Sequence, residues 1–189
     1  IYETDDFFDS GPLFKRLKAN KPIFRKHGIA LKKKSTTVLP PKLVQALKNP
    51  TRISKLELNG FKMKNFPEEI CELIKLKELD VSQNCLIELS KEIEKLGLLE
   101  TLYVNNNQLK KLPDEIGRIA SLKRLGLSWN NLKKLPPLSD LNQLEFLGLR
   151  HNYFTEIPKG LGTLSNLKKL SLSENALKTI SQEVGELRS

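Results

Sequence analysis

Apolar residues recur along this chain at a spacing that no single helix or strand produces. From Ile53 onward, aliphatic side chains fall at positions 1, 4, 6, 11, 14, 18 and 21 of a unit that then begins again, as in Leu99, Leu102, Val104, Leu109, Leu112, Ile116 and Ile119. The unit starts are Ile53, Leu76, Leu99, Leu122, Leu144 and Leu167, separated by 23, 23, 23, 22 and 23 residues. So regular a period predicts stacked, near-identical units. Positions 4 and 6 are apolar while 3, 5 and 7 are mostly polar or aromatic, which predicts a short strand with one face turned inward and the other toward solvent.

Two further positions give the unit its shape. Position 15 is proline in Pro67, Pro113, Pro136 and Pro158, usually with acids after it, as in Pro67-Glu68-Glu69-Ile70. This predicts a helical turn opposite the strand, with the acids complementing its dipole. Position 9 is asparagine in Asn84, Asn107, Asn130, Asn152 and Asn175, and Phe61 in the first unit. A short amide repeated at one level predicts a ladder that satisfies backbone groups where the strand turns away. One unit buries too little apolar surface to offset the ordering of its own chain, so stacking is obligatory, and six units exceed the minimum of about three.

The pattern divides the chain into residues 1–24, an N-terminal extension, residues 25–52, a degenerate capping repeat, and residues 53–189, six regular repeats. In the cap, Leu39-Pro40-Pro41-Lys42-Leu43 echoes the Leu-Pro-x-x-Ile of the unit, and Ile29 and Leu31 fit positions 4 and 6, displaced by four extra residues. The extension opens with Ile1–Ser10, IYETDDFFDS, either a tail folded over its own solenoid or a short linear motif for a partner. Gly11-Pro12 then leads into a short amphipathic stretch with Leu13, Phe14 and Leu17 on one face. The chain starts at Ile1 and stops after Val184 and Leu187 complete the last unit, so it is expected to be processed or a fragment that continues past residue 189.

Charge is informative once located. The excess behind the net charge of +10 belongs to residues 11–50, which hold eleven Lys or Arg and no acid, whereas residues 1–10 carry four acids and no base and residues 51–189 carry 21 bases against 18 acids. Lys15, Arg16, Lys18, Lys32, Lys33 and Lys34 are therefore candidate contacts for RNA or another acidic partner, the alternative being a solvated cap. No apolar run approaches the ~20 residues that span a bilayer, so no membrane insertion is expected. Cys71 and Cys85 sit at unlike positions of adjacent units and do not suggest a disulfide, and Asn49-Pro50-Thr51 is blocked as a glycosylation site by its proline. Together these point to an intracellular compartment, the cytoplasm foremost, with nucleus or organelle open.

Catalytic chemistry finds no footing. His27 and His151 have no spacing that suggests a triad, two cysteines and a histidine fall short of a zinc site, and Gly160-Leu161-Gly162 lacks the rest of a phosphate loop. No catalytic residue, metal or cofactor is assigned.

What remains is a surface. The solvent side of the strands and their exits gathers Tyr103, Arg124, Trp129, Phe146, Arg150, His151 and Tyr153 into repeats three to five, the residue types of a protein-binding hot spot. Gly126 and Gly148 beside Tyr103 suggest an open floor for an inserted side chain. Lys110, Lys111, Lys133 and Lys134 form a second stripe, read as a solvated ridge.

The pattern LxxLxLxxNxLxxLPxxIxxL resembles the intracellular leucine-rich-repeat family, specifically the 23-residue class of the Ras-suppressor, Shoc, Scribble and Erbin group. The resemblance covers residues 53–189, and 26–50 weakly, with Phe61, Ser90, Ser181 and the shortened unit Leu122–Gln143 as departures. It implies an α/β solenoid, a curved horseshoe with a parallel sheet on the concave face and short helical turns on the convex face. It also implies a non-catalytic scaffold or adaptor that grips another protein, in some members a small GTPase or phosphatase. Two other functions stay open: a subunit of a ribonucleoprotein or other large assembly held through the basic segment, and the recognition domain of a longer enzyme.

Overall fold

A computed structural model describes residues 38–178. The chain divides into Ile1–Val38 and Leu39–Ser189. Of the first unit only Val38 is described, and it is exposed. The extension, Ile29, Leu31 and all six candidate polyanion contacts from Lys15 to Lys34 lie outside the described residues, as do Val184 and Leu187.

Six three-residue strands form one parallel sheet in sequence order: β1 (Lys55–Glu57), β2 (Glu78–Asp80), β3 (Thr101–Tyr103), β4 (Arg124–Gly126), β5 (Phe146–Gly148) and β6 (Lys169–Ser171). The register pairs equal positions of consecutive units, so Leu56, Leu79, Leu102, Leu125, Leu147 and Leu170 stand side by side. That register follows from the period, because a slip of one residue would turn the leucines to solvent. Behind the sheet, Leu58, Val81, Val104, Leu127 and Leu149 at position 6 are fully buried. Ile70, Ile93, Ile116 and Leu161 close the core from the far side.

The helix α1 (Pro41–Ala46) is the first element among the described residues and precedes β1. It starts directly after Pro40 and buries Leu43, Ala46 and the following Leu47.

The helical turns are 3-10 turns, and proline's place before them is variable. Pro67 and Pro113 stand immediately before Glu68–Glu72 and Asp114–Arg118. Ser90 does the same for Lys91–Lys95, its hydroxyl accepting the Glu92 N–H at 3.2 Å, so a capping side chain replaces the ring. After Pro158 the turn waits until Leu161–Thr163, beyond the left-handed Gly160. After Pro136-Pro137 there is none: the 22-residue unit crosses from β4 to β5 without a helical turn. Its shortcut brings the Pro137 carbonyl oxygen against Gly117, within 2.3 Å of where a Cβ would stand, so residue 117 has to be glycine.

The asparagine ladder forms at every position where asparagine occurs. Asn107 Nδ2 donates to the Val81 carbonyl of the preceding unit at 3.0 Å and to Val104 of its own at 3.2 Å, while its Oδ1 accepts the Leu86 N–H at 2.9 Å. Asn84, Asn130, Asn152 and Asn175 repeat these bonds. In the first unit Phe61 has no amide to offer and remains 39% exposed, and the next residue, Lys62, goes left-handed.

Candidate functional site

The sheet face opposite the core is built by positions 3, 5 and 7 of each unit, and position 8 carries it around the edge. Position 8 is left-handed in every unit: Gly60 (φ 79°), Gln83 (57°), Asn106 (54°), Trp129 (60°), His151 (55°) and Glu174 (56°). Five of these are not glycine, and a bulky indole in this region costs on the order of 1 kcal/mol or more. The turn is over-determined: each position 8 N–H up to His151 donates to the next unit, as Trp129 N–H does to the Arg150 carbonyl at 2.8 Å, and asparagine holds position 9.

This turn stacks the position 8 side chains of the fourth and fifth units on one another. The Trp129 and His151 rings lie 3.7 Å apart at 17° from parallel. His151 Nε2 is 3.8 Å from the Glu174 carboxylate, and Arg150 clasps the same carboxylate, its Nε donating to Glu174 Oε1 at 2.9 Å and its Nη2 closing on that oxygen as well. Glu174 thereby holds Arg150 in place, next in sequence to His151 and its stack on the indole.

A groove of about 660 Å³ crosses repeats three to six and brings Tyr103, Arg124, Trp129, Phe146 and Arg150 together. Its walls also take in Asn105, Asn106, Ser128, Glu145, Lys168 and Lys169, which the residue pattern alone did not single out. His151 reaches the groove through its stack on Trp129. Tyr153, 57% exposed, stands outside the lining.

The floor beneath the glycines is closed. A Cβ on Gly126 would stand 2.6 Å from Tyr103 Cδ1 and 3.0 Å from the Asn105 amide, and one on Gly148 would stand 3.2 Å from the Phe146 ring and from Ser128 Oγ. The glycines let aromatic rings lie flat on the sheet, so Tyr103 and Phe146 form the floor and no slot remains for an inserted side chain. The signal was present in the register, since Tyr103 is the cross-strand partner of Gly126.

Arg124, Phe146 and Lys169 are successive partners across β4, β5 and β6. Lys169 Nζ lies 5.9 Å from the Phe146 ring centre, at the outer reach of a cation–π contact. Neither Arg124 nor Lys169 has an ion pair among the described residues. By contrast, position 2 is a ladder of alternating sign: Lys77 to Glu100 at 3.3 Å, Glu100 to Lys123 at 2.9 Å, and Glu145 to Lys168 at 3.2 Å. The Lys123 ammonium first, and Lys77 with it, hold the Glu100 carboxyl below its ordinary range.

Away from this face, Lys111 and Lys134 line a second groove of about 770 Å³ with Pro113, Pro136 and Pro137, where the fourth unit has no helical turn. Cys71 is buried, which pushes its thiol up to about 12 and keeps it protonated at neutral pH. No group of three or more metal-ligating side chains occurs among the described residues, and no described helix is long and apolar enough to cross a membrane.

Comparison with known proteins places these features. The sequence profile described as leucine rich repeat matches residues 74–132, 98–154 and 142–188. A search of curated protein sequences finds no match. Among solved structures, a leucine-rich-repeat protein of Leptospira interrogans is 29% identical with a TM-score of 0.67, over 85% of this chain and 51% of its own. The ectodomain of the membrane receptor kinase GASSHO1/SCHENGEN3 from Arabidopsis thaliana, in complex with CASPARIAN STRIP INTEGRITY FACTOR 2, is 33% identical at a TM-score of 0.63. That match covers 72% of this chain and 17% of the receptor. The plant peptide hormone receptor RGFR1, in complex with RGF2, is 26% identical at a TM-score of 0.58, over 73% of this chain and 22% of the receptor. The chain spans about half the length of the Leptospira protein and about a fifth of each plant receptor.

Proposed function

This chain belongs to the leucine-rich repeat family, and from that premise we propose that it is a non-catalytic protein-interaction module, a scaffold or adaptor that grips a partner on the concave sheet face. The observation that carries this is the groove itself. Tyr103, Trp129 and Phe146 offer broad apolar area with few rotatable bonds, and Arg124 and Arg150 add charge at the rim, which is hot-spot chemistry on a preformed support. The two plant receptors, each solved in complex with another named component, support the use of such repeats for capture.

The finer assignment is to the intracellular Ras-suppressor, Shoc and Scribble-like class. The period of 23, the Leu-Pro-x-x-Ile turn and the two free cysteines support it, with a small GTPase or phosphatase as the partner that class implies. In this reading residues 53–189 are the gripping array and residues 25–52 its cap.

The test is Tyr103→Ala with Trp129→Ala. Both residues sit on the solvent side, so the double variant should keep its circular dichroism spectrum and melting midpoint to within a few degrees while losing partner capture from its own cells. Undiminished capture by a folded double variant overturns the concave-face reading.

A further inference from the structure

The concave face is electrically bipolar. On β1 and β2, positions 3 and 5 carry Lys55, Glu57, Glu78 and Asp80. Lys55 lies 3.1 Å from Glu57 and 3.2 Å from Glu78, which leaves this end net negative, with Asp80 outside the ion pairs found among the described residues. β3 contributes Thr101 and Tyr103 and no charge. At the other end stand Arg124, Arg150 and Lys169, all exposed, and only Arg150 is neutralised, by Glu174. One end is acidic, the middle is aromatic and the far end is basic.

The geometry points to a partner segment of matching order: an extended stretch with a short acidic run seated over Arg124 and Lys169, one or two apolar or aromatic residues over Tyr103 and Trp129, and a basic run over Glu57, Glu78 and Asp80. This inference rests on the concave-face reading and adds to it the chemistry and polarity of the occupant. Strand spacing sets the scale. From β2 to β4 is two intervals of ~4.8 Å, about 10 Å, and from β1 to β6 about 24 Å, which an extended chain at ~3.3 Å per residue crosses in roughly three and seven residues. Acids and bases in the partner are therefore separated by about three to seven residues and not interleaved. Reversed seating juxtaposes like charges at both ends, so the face selects one orientation across the strands.

Selection of a displayed random twelve-residue peptide library on the full chain tests this. Enriched peptides should segregate Asp and Glu from Lys and Arg around an aromatic or aliphatic centre, and should bind the Trp129→Ala variant at least tenfold more weakly. Selection on Arg124→Glu with Lys169→Glu should eliminate the acidic run from the winners, and selection on Glu78→Lys with Asp80→Lys should eliminate the basic run. Binders that depend on Trp129 yet show interleaved or single-sign charge overturn the polarity while leaving the concave reading intact. Absence of binders that depend on Trp129 overturns both.

Discussion

The Trp129 indole and the His151 imidazole form a parallel stack, 3.7 Å between ring centres, because both occupy the left-handed position 8 of adjacent units. Trp129 is the chain's one tryptophan, so its emission reports this contact alone. Removing the imidazole uncovers one face of the indole to water, so His151→Ala should shift the emission maximum to longer wavelength, with the folded state checked by circular dichroism. A variant emission spectrum identical to that of the wild type would show that the stack does not persist in solution.

The ladder sets a steep penalty for losing one asparagine. Asn107→Ala orphans the Leu86 N–H and withdraws a donor from the Val81 and Val104 carbonyls, all in the interior. The expected cost is about 2 to 4 kcal/mol in urea denaturation, since unpaired buried groups cost more than a hydrogen bond's net worth. Phe61→Asn, at the position where the ladder is absent, should be within about 1 kcal/mol of wild type because residue 61 faces solvent.

Two glycines on the side opposite the sheet should behave oppositely. Gly117→Ala drives a methyl into the Pro137 carbonyl, a backbone atom that cannot step aside, and should destabilise by about 1 to 3 kcal/mol. Gly97→Ala meets nothing within 4 Å and should be neutral or stabilising by up to about 1 kcal/mol through the unfolded chain. Thermal denaturation of the two variants side by side decides.

Glu100 links the position 2 ladder to pH. Its carboxyl is held below the ordinary range by Lys123 and Lys77, so its contribution to stability is fully present above the unfolded-state value near 4.3 and is lost as pH falls through the lower folded-state value. The wild type should therefore melt above Glu100→Gln at neutral pH, and the gap should close on acidification below about pH 4 and on adding salt, because the site is open to solvent.

Much of the fold was legible because it is periodic. Leucines at positions 4 and 6 fix strand direction and register together, and asparagine at position 9 names its own hydrogen bonds. Tyr103, Trp129, Phe146 and Arg150 were legible as solvent-side residues for the same reason. The sign of φ at position 8 was not, because five different non-glycine residues accept the left-handed turn and none marks it. Nor was the grip of Glu174 on Arg150, which joins position 8 of one unit to position 7 of the one before and appears only once the turn is known. The shortened fourth unit announced its missing residue, but the loss of its helical turn shows only in the closeness of Pro137 to Gly117.

Each asparagine completes the unit before its own: Oδ1 of Asn130 receives the Leu109 N–H, as Asn152 does for Leu132. The backbone ties the units in both directions, the Gln108 N–H donating back to the Leu86 carbonyl and the Trp129 N–H forward to that of Arg150, but the asparagine oxygen adds a dependence that runs one way. Trimming a unit from the C-terminal side strands an interior leucine N–H that only the next asparagine caps. Successive deletions from that side should each expose the same unpaired amide, the array closing like a zipper whose teeth are each locked by the next.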